Sequence, residues 1–226
     1  MEVEHGRFVI GETCIDAIVE KGYLCNVEEL ILDARSQIIS KIDSDPFFKI
    51  TYDPYKAGRD DTDLIKQMCR VSEKVGVGPM AVVAGAIDCY VLEKLFDMGC
   101  RHMVLDNDGD IAMLSDTDVT VGLYSGLDGI PLFITTLSPS GKPLGICTSS
   151  GKIGHSVSLG DSDMSTVIAC DAVLADACAT KLGNLCARDL SEAVEEVYAI
   201  DGVIGCLAIC DGKIAKCGDF IIEGIE

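Results

Sequence analysis

The segment TSSGKIGHSVSLGDSDMSTVIACDAVLADACATKLGN, residues 148–184, joins a loop rich in serine and glycine to an alanine-rich helix. The helix carries one acidic residue, Asp176, and a hydroxyl four positions later, Thr180. Residues four apart lie on one face of a helix, so the carboxylate and the hydroxyl point the same way. Alanines flank Asp176 on both sides, and their small side chains allow close packing. We therefore expect Asp176 to be substantially buried.

A buried carboxylate needs a partner, and two interpretations supply one. In the first, Asp176 and Thr180 provide two hard oxygen ligands for Mg²⁺, which fills its remaining positions with waters and substrate phosphates. In the second, Asp176 caps or packs against a neighbouring loop, and Thr180 hydrogen-bonds its own helix backbone. The spacing alone does not choose between them.

The loop before this helix predicts a binding site for a polar or phosphorylated ligand. Thr148, Ser149 and Ser150 offer hydroxyls, and Gly151 frees backbone N–H groups that can cradle a phosphate. His155 is one of three histidines in the chain and could donate, accept or shuttle a proton near pH 7. A purely structural hydrogen bond is the alternative role for His155.

The charge of the chain excludes several classes of partner. With 37 acidic and 18 basic residues the formal net charge is −19. Nucleic acids and anionic membranes are bound through clustered Lys and Arg, which this sequence lacks, so neither is an expected partner. A nucleotide-like ligand fits only if Mg²⁺, helix N-termini and loop amides offset the negative field.

The twelve cysteines are predicted to be free thiols in a reducing cytoplasm. The N-terminal residues show no secretory signal, no apolar run reaches the ~18 residues of a membrane span, and no Cys-x-x-Cys occurs. Cys206, Cys210 and Cys217 gather on a predicted hairpin, where small buried apolar residues are a better interpretation than metal ligands.

Hydrophobic periodicity predicts mixed secondary structure, with strands that come in runs rather than in strict alternation with helices. This order favours an α+β fold with a largely antiparallel sheet packed against helices. At 226 residues we expect a single domain over residues 1–226, built as one unit or as two intimately packed subdomains, with apolar surface enough for a homodimer. The predicted elements are one or two edge strands in Phe8–Glu20, a helix Val27–Ile42, an irregular stretch Asp43–Asp61, helices Thr62–Val75 and on to about Met98, a strand pair in Arg101–Leu114, strands near Val119–Tyr124, Ile130–Leu137 and Leu144–Thr148, a helix Leu190–Ala199 and a hairpin in Gly205–Gly218.

The turn inside Arg101–Leu114 carries three alternating aspartates that mimic the start of an EF-hand loop. Thr117 stands where that loop needs a bidentate glutamate, so calcium binding of this type is not expected. Asn107, Asp108 and Gly109 tolerate unusual backbone angles and predict a tight turn.

Three segments, in this order, resemble the ApbE superfamily, the Mg²⁺-dependent FAD:protein FMN transferases. GAIDCYVLEKLFDMGCRHMVLDNDGDI, Gly85 to Ile111, resembles that family's helix, strand and Gly-rich turn; the Thr-Ser-Gly-rich loop ending in His155 follows; and ADACAT, Ala175 to Thr180, resembles its Ala-Asp-x-x-x-Thr signature. The match is to a short, cytosolic-looking ApbE-like branch. It implies Mg²⁺ on Asp176, Thr180 and a main-chain carbonyl near Val83, and FAD contacts at Asn107, Gly109 and the serine loop.

Two departures from the transferases bear on activity. Ala84-Gly85 replaces a Lys-Gly pair, which removes a cationic side chain that could meet phosphate, and HSVSLGDSD replaces an Asp-Pro-x-x-Gly run. Lys152 is the nearby cation that could replace the lysine, and Asp161 and Asp163 are expected to face solvent. Three functions remain open: a flavin transferase or FAD pyrophosphatase with His155 in catalysis, a flavin- or nucleotide-binding module without turnover, and a thiol-rich accessory protein in sulfur metabolism.

Overall fold

The computed structural model describes residues 2–125, 132–139, 141–150, 162–220 and 223–225. The helices in these ranges are α1 (Leu24–Ser44), α2 (Phe47–Ile50), α3 (Asp63–Val75), α4 (Val83–Met98), α5 (Ala172–Leu185) and α6 (Leu190–Tyr198), with a 3₁₀ turn at Pro79–Val82. The strands are β1 (Val3–Ile10), β2 (Thr13–Glu20), β3 (Met103–Asn107), β4 (Asp110–Leu114), β5 (Val119–Leu123), β6 (Leu132–Leu137), β7 (Leu144–Ser149), β8 (Met164–Ala169), β9 (Val203–Cys210), β10 (Lys213–Gly218) and β11 (Glu223–Ile225).

The strands form two sheets whose described pairs are all antiparallel. The large sheet has eight strands in the order β1-β2-β3-β4-β7-β8-β9-β10, and the small sheet has three in the order β11-β6-β5. The predicted α+β class with a largely antiparallel sheet is confirmed.

Side-chain alternation along the central strands buries both faces of the large sheet. In β3, Met103 and Leu105 belong to the core cluster shared with the helices, whereas Val104 belongs to a second cluster shared with the small sheet. In β4, Ala112 and Met113 divide between the two clusters in the same way. Because successive strand residues point to opposite faces, the large sheet is the middle of three layers, with helices on one side and the small sheet on the other.

The hairpin that joins β3 to β4 is closed by a two-residue turn. Asp108 has φ 53° and Gly109 has φ 100°, as a turn with two left-handed residues requires. The Gly109 N–H donates to the Asp106 carboxylate at 2.8 Å. The predicted tight turn is confirmed, and Asn107 and Asp110 are paired across it.

Most of the predicted elements are present, with three corrections. The irregular stretch 43–61 contains the short helix α2 and no strand. Its Phe48 is fully buried and meets the Tyr55 ring edge-on at a centroid distance of 5.3 Å, so these two aromatics seal the core edge. The strand β8, Met164–Ala169, was not predicted. The expectation that Asp163 faces solvent is wrong, because Asp163 is 2% exposed.

All twelve cysteines are free thiols, and most are buried. Burial raises the pKa of Cys69 to about 11 and those of Cys178 and Cys206 to about 12. Cys206 and Cys210 are buried on the β9–β10 hairpin, as expected of small apolar residues, whereas Cys217 on the same hairpin is partly exposed. Within the described ranges no single helix is long and apolar enough to cross a membrane, although α3 and the segment Pro79–Met98 reach that length together across a bend of 106°.

Candidate functional site

A cleft of about 1460 Å³ lies between the large sheet and the edge of β5. One wall is formed by the outer faces of β1, β2 and β3, and the other by residues 117–124 on and around β5. The cleft extends to the tip of the β3–β4 hairpin, where Asn107, Gly109 and Asp110 line it, and to Thr148 and Ser150 at the end of β7. Ala84 at the start of α4 also contributes to this end.

The predicted ligand-binding residues divide between the cleft and the protein interior. Thr148 lies on the cleft side, where its Oγ1 is 2.9 Å from the Thr166 hydroxyl. Ser149 is the next residue along β7 and is 7% exposed, so its side chain points to the helix layer. Gly151 and His155 lie outside the described residues.

The Asn107 side chain is held at both ends by the protein. Its Nδ2 donates to Asp88 Oδ1 at 3.2 Å, and its Oδ1 accepts from the Cys14 backbone N–H at 3.3 Å. It therefore ties the hairpin tip to α4 on one side and to β2 on the other. A ligand in the cleft can reach the remaining hydrogen-bonding capacity of this amide and the Gly109 backbone.

Of the predicted metal residues, Asp176 contacts the first turn of α4, which Val83 begins. Asp176 is 8% exposed, and its Oδ2 accepts the Gly85 N–H at 3.0 Å. Val83 begins α4, two residues before Gly85, and Thr180 lies partly exposed one turn after Asp176. The Gly85 N–H thus gives one Asp176 oxygen a partner on a neighbouring helix, and the metal interpretation stays a prediction.

Glycine at position 85 is required by this contact. A Cβ built there would lie 2.3 Å from the Ala172 carbonyl oxygen and 3.0 Å from Asp176 Cβ. Asp171 begins α5 by accepting the Leu174 N–H at 2.8 Å, which fixes the start of the helix that carries Asp176. The two helices approach so closely that the Asp176 carboxylate reaches the unpaired N–H groups at the start of α4.

Three carboxylates gather beneath the hairpin tip on the helix side of the large sheet. Asp88 on α4 is fully buried and Asp176 almost so, whereas Asp110 on β4 keeps a partly exposed surface where the cleft reaches it. Asp110 Oδ1 accepts the Thr148 N–H at 3.2 Å. Asp88 Oδ2 is buried without a hydrogen-bond partner. An unpaired buried carboxylate oxygen is costly, so this cluster has oxygen ligands in excess of its hydrogen-bond donors.

Burial and mutual repulsion raise the pKa of all three groups. For Asp176 and Asp88 the pKa lies well above the ordinary value, first because burial disfavours the charge and then because of neighbouring Asp110. Burial also raises the pKa of Asp110 to about 7, although donors from Cys147 and Thr148 act in the opposite direction. A cation placed among these groups would favour their charged forms.

Asp88 and Asp110 were missed by reasoning from the sequence alone. A signal was present for Asp88, because it is an isolated charge within the strongly apolar start of α4, VAGAIDCYVLEKL. For Asp110 the turn attracted attention as a backbone feature, and the inward direction of its side chain depends on the strand register. The buried Asp163 accepts the Asp211 N–H at 2.8 Å and lines the far end of the cleft.

The cleft is acidic. Its described lining carries seven acidic side chains, one arginine and no lysine, and Arg7 is itself 3.2 Å from Asp16. Within the described chain, no three His, Cys, Asp or Glu side chains are spaced to hold a metal by themselves. A cation at the hairpin tip would therefore also need hydroxyl, carbonyl or ligand oxygens.

The three-layer arrangement with this cleft is the fold of the ApbE flavin transferases. The flavin transferase ApbE of Vibrio cholerae superposes with a TM-score of 0.65 over 96% of both chains at 12% sequence identity. The ApbE protein of Thermotoga maritima superposes with a TM-score of 0.67 over 100% of this chain and 97% of its own, at 13% identity. At such identities the similarity establishes the fold.

The family model described as AbpE bacteria matches residues 4–203, and the chain belongs to this family. Relatives named UPF0280 protein include one from Archaeoglobus fulgidus, 40% identical over 94% of this chain and 91% of the relative. Another, from Methanothrix thermoacetophila, is 41% identical over 84% of this chain and 81% of its own length. The resemblance drawn from the three sequence segments is confirmed.

Proposed function

We propose that this protein binds FAD in the acidic cleft together with Mg²⁺, and that it cleaves the FAD pyrophosphate by FMN transfer or by hydrolysis. The observation that carries the proposal is the carboxylate cluster at the hairpin tip, in which Asp110 lines the cleft and the buried Asp88 Oδ2 has no hydrogen-bond partner. A flavin dinucleotide brings two negative phosphates into a cleft that already carries seven acidic side chains. Binding there requires a cation between the two sets of charges.

Asp176, Thr180 and Val83 do not line the cleft themselves, but Val83 directly precedes Ala84, which does, and their chemistry fits Mg²⁺. Asp176 and Thr180 lie one turn apart on α5, and the Val83 carbonyl lies near the Gly85 N–H that Asp176 accepts. These three groups would hold the ion, and all are the hard oxygen ligands that it prefers. When bound, it would act as a Lewis acid towards the pyrophosphate oxygens.

The other predicted residues have roles that follow from their chemistry. Thr148, Ser150 and the Gly109 backbone lie along the cleft and would bind phosphate or ribityl oxygens. His155 would take the proton from the attacking oxygen, which belongs to water in hydrolysis or to a protein hydroxyl in transfer. That oxygen bonds to the FMN phosphorus, the bond from this phosphorus to the bridging oxygen breaks, and AMP leaves.

A flavin-binding module without turnover is the second candidate. It is favoured by Ala84, which stands at the cleft where the transferases carry lysine, and by the pairing of the cleft's arginine with an aspartate. The sulfur-metabolism alternative gains no support from the thiols, because burial raises the pKa of those in the core and keeps them protonated.

The test measures FAD binding by fluorescence and the release of FMN and AMP by chromatography, with Mg²⁺ and with EDTA. We expect binding that EDTA weakens by about 100-fold, and an equal loss in Asp176→Asn, because one ligand charge disappears. Thr180→Val should weaken binding by a smaller factor. The exposed Asp60→Asn is the matched control and should bind as the native protein does.

Turnover separates the two candidates. Release of FMN and AMP that His155→Ala abolishes without loss of FAD affinity supports the enzyme. Binding without release supports the module. FAD affinity that is the same in EDTA and in Asp176→Asn would contradict both versions of the metal-dependent proposal.

A further inference from the structure

One strand edge borders the cleft. Among the described residues, β5 is a terminal strand of the small sheet and pairs only with β6. Residues 117–124, which contain β5, line the cleft without interruption. In an antiparallel pair every second residue of an edge strand directs its N–H and C=O away from the neighbour, so one row of backbone groups faces the cleft.

This edge differs from the other sheet edges in the described residues. Edge strands are commonly protected from pairing by charged side chains. β1 carries Glu4 and Arg7, and β10 carries Lys213 and Lys216, whereas β5 reads Val-Thr-Val-Gly-Leu with no charge. β5, the strand that borders the cleft, thus lacks this protection and can pair with an added strand.

The cleft has room for an added strand beside a small ligand. Small-molecule sites usually occupy about 300–1,000 Å³, and this cleft measures about 1460 Å³. The five residues of β5 span about 16 Å at ~3.3 Å per residue, enough to pair with an extended segment of about five residues. The facing wall, made by residues on β1, β2 and β3, lies across from it.

The negative charge of the cleft walls favours a positively charged partner. Glu12 and Asp118 are exposed on the lining, and the acidic residues there outnumber the single arginine by seven to one. Such a potential attracts cationic segments and repels acidic ones. A second copy of this chain, with a formal charge of −19, is disfavoured on the same ground.

We propose that the β5 edge binds an extended, positively charged segment of another protein, which adds to the small sheet as a fourth strand. Backbone hydrogen bonds to β5 supply affinity, and the acidic walls supply selectivity for lysine and arginine. The segment would lie alongside the hairpin tip. This inference does not depend on the flavin proposal, and its test uses the protein without FAD.

The test uses fluorescence anisotropy of a labelled peptide of alternating valine and threonine flanked by lysines. Two further peptides are N-methylated at one or the other set of alternate amides, which removes one row of donors each time. Because only one row can face β5, we expect one methylated peptide to lose affinity by about 10- to 100-fold and the other to bind as the parent does. A version with glutamates in place of the lysines should bind at least about 10-fold more weakly at low salt.

Variants of the protein separate specific from general attraction. Glu12→Gln with Asp118→Asn should weaken the lysine peptide by about 10-fold at low salt, whereas Glu28→Gln with Asp60→Asn, outside the cleft, should not. Equal binding of the two methylated peptides, or no binding of the parent, would overturn the proposal. So would a dimer in sedimentation that the peptide does not dissociate and that occupies the β5 edge. Normal FAD binding alongside any of these outcomes leaves the flavin proposal standing.

Discussion

The two faces of the large sheet are built from the same strands, yet they treat carboxylates in opposite ways. On the helix side Asp88 and Asp176 are buried and their pKa values are raised. On the cleft side Asp16 on β2 is exposed to solvent, as are Glu12 in the β1–β2 turn and Asp118 just before β5. The difference teaches that the chemistry of an acid in this fold is decided by which face its strand or helix position selects, since both sides carry many acids.

The largest effect on stability is expected where the helix layer packs directly against the large sheet. A Cβ at Gly145 would lie 2.3 Å from Ala172 Cα, which has no room to move because it opens α5. Gly145→Ala should lower the free energy of unfolding by about 3 kcal/mol in urea titrations. At Gly58 a Cβ would meet only Asp61 at 3.6 Å, so Gly58→Ala is the control and should change stability by less than about 0.5 kcal/mol. Equal effects would show that the helix face is not tightly packed.

The next effect is the pH dependence of stability in the metal-free protein. Asp110 has a pKa raised to about 7 in the folded chain, from 3.8 when unfolded. Above pH ~4 the unfolded chain loses this proton while the folded chain keeps it, so the free energy of unfolding falls as pH rises from about 4 to about 7.

Asp110→Asn should remove about 2 kcal/mol of that fall, a figure that allows for solvent at its partly exposed surface. Urea unfolding at several pH values measures it. The raised pKa values of Asp88 and Asp176 also make the free energy of unfolding fall as pH rises, so Asp110→Asn keeps part of this pH dependence. Parallel curves for the native protein and Asp110→Asn would contradict the assignment.

A smaller effect is expected at the far end of the cleft. The buried Asp163 carboxylate accepts the Asp211 N–H at 2.8 Å and so holds the turn of the β9–β10 hairpin. Asp163→Ala should cost about 2 kcal/mol, because a buried donor loses its acceptor, and Asp163→Asn, which retains an acceptor oxygen, should cost less. Thermal unfolding of both variants measures the difference. Two equal losses would mean that the negative charge, rather than the hydrogen bond, is what the site needs.

The smallest effect is predicted on the open wall. Asp118→Asn makes the same chemical change as Asp110→Asn, but at an exposed position, and should alter the free energy of unfolding by less than about 0.5 kcal/mol. Urea titration at pH 7 is sufficient. A large effect at Asp118 would contradict the expected difference between the buried carboxylates of the helix side and the exposed carboxylates around the cleft.

The elements that the sequence predicts well are those with a local physical signature. The turn at Asp108 and Gly109, the helix that carries Asp176 and the hairpin at Asp211 and Gly212 all follow from backbone preferences or helical spacing within a few residues. The strand β8 was not predicted because all six of its residues are buried. It therefore has no alternation of polar and apolar residues to distinguish it from a loop or the start of a helix.

The site could be predicted only in part. Burial of Asp176 followed from its small neighbours, but its meeting with Asp88 and Asp110 joins α5, α4 and β4, and that depends on tertiary packing. Asp163 was misjudged for the same reason, since its burial comes from β9, nearly fifty residues further along. The assigned roles of His155, Thr180 and Val83 stay predictions.

The two-residue length of the Asp108–Gly109 turn has a consequence for how this family could change. Strand side chains alternate with a period of two, so inserting one residue into the turn and sliding β4 by one position would exchange everything that its residues face. Asp110 would turn from the helix side to the cleft side and Ile111 would turn under α4, which would remove an acid from beneath the hairpin tip and put an apolar side chain in its place. We therefore expect relatives to differ in this turn by substitutions, or by insertions of two residues rather than one.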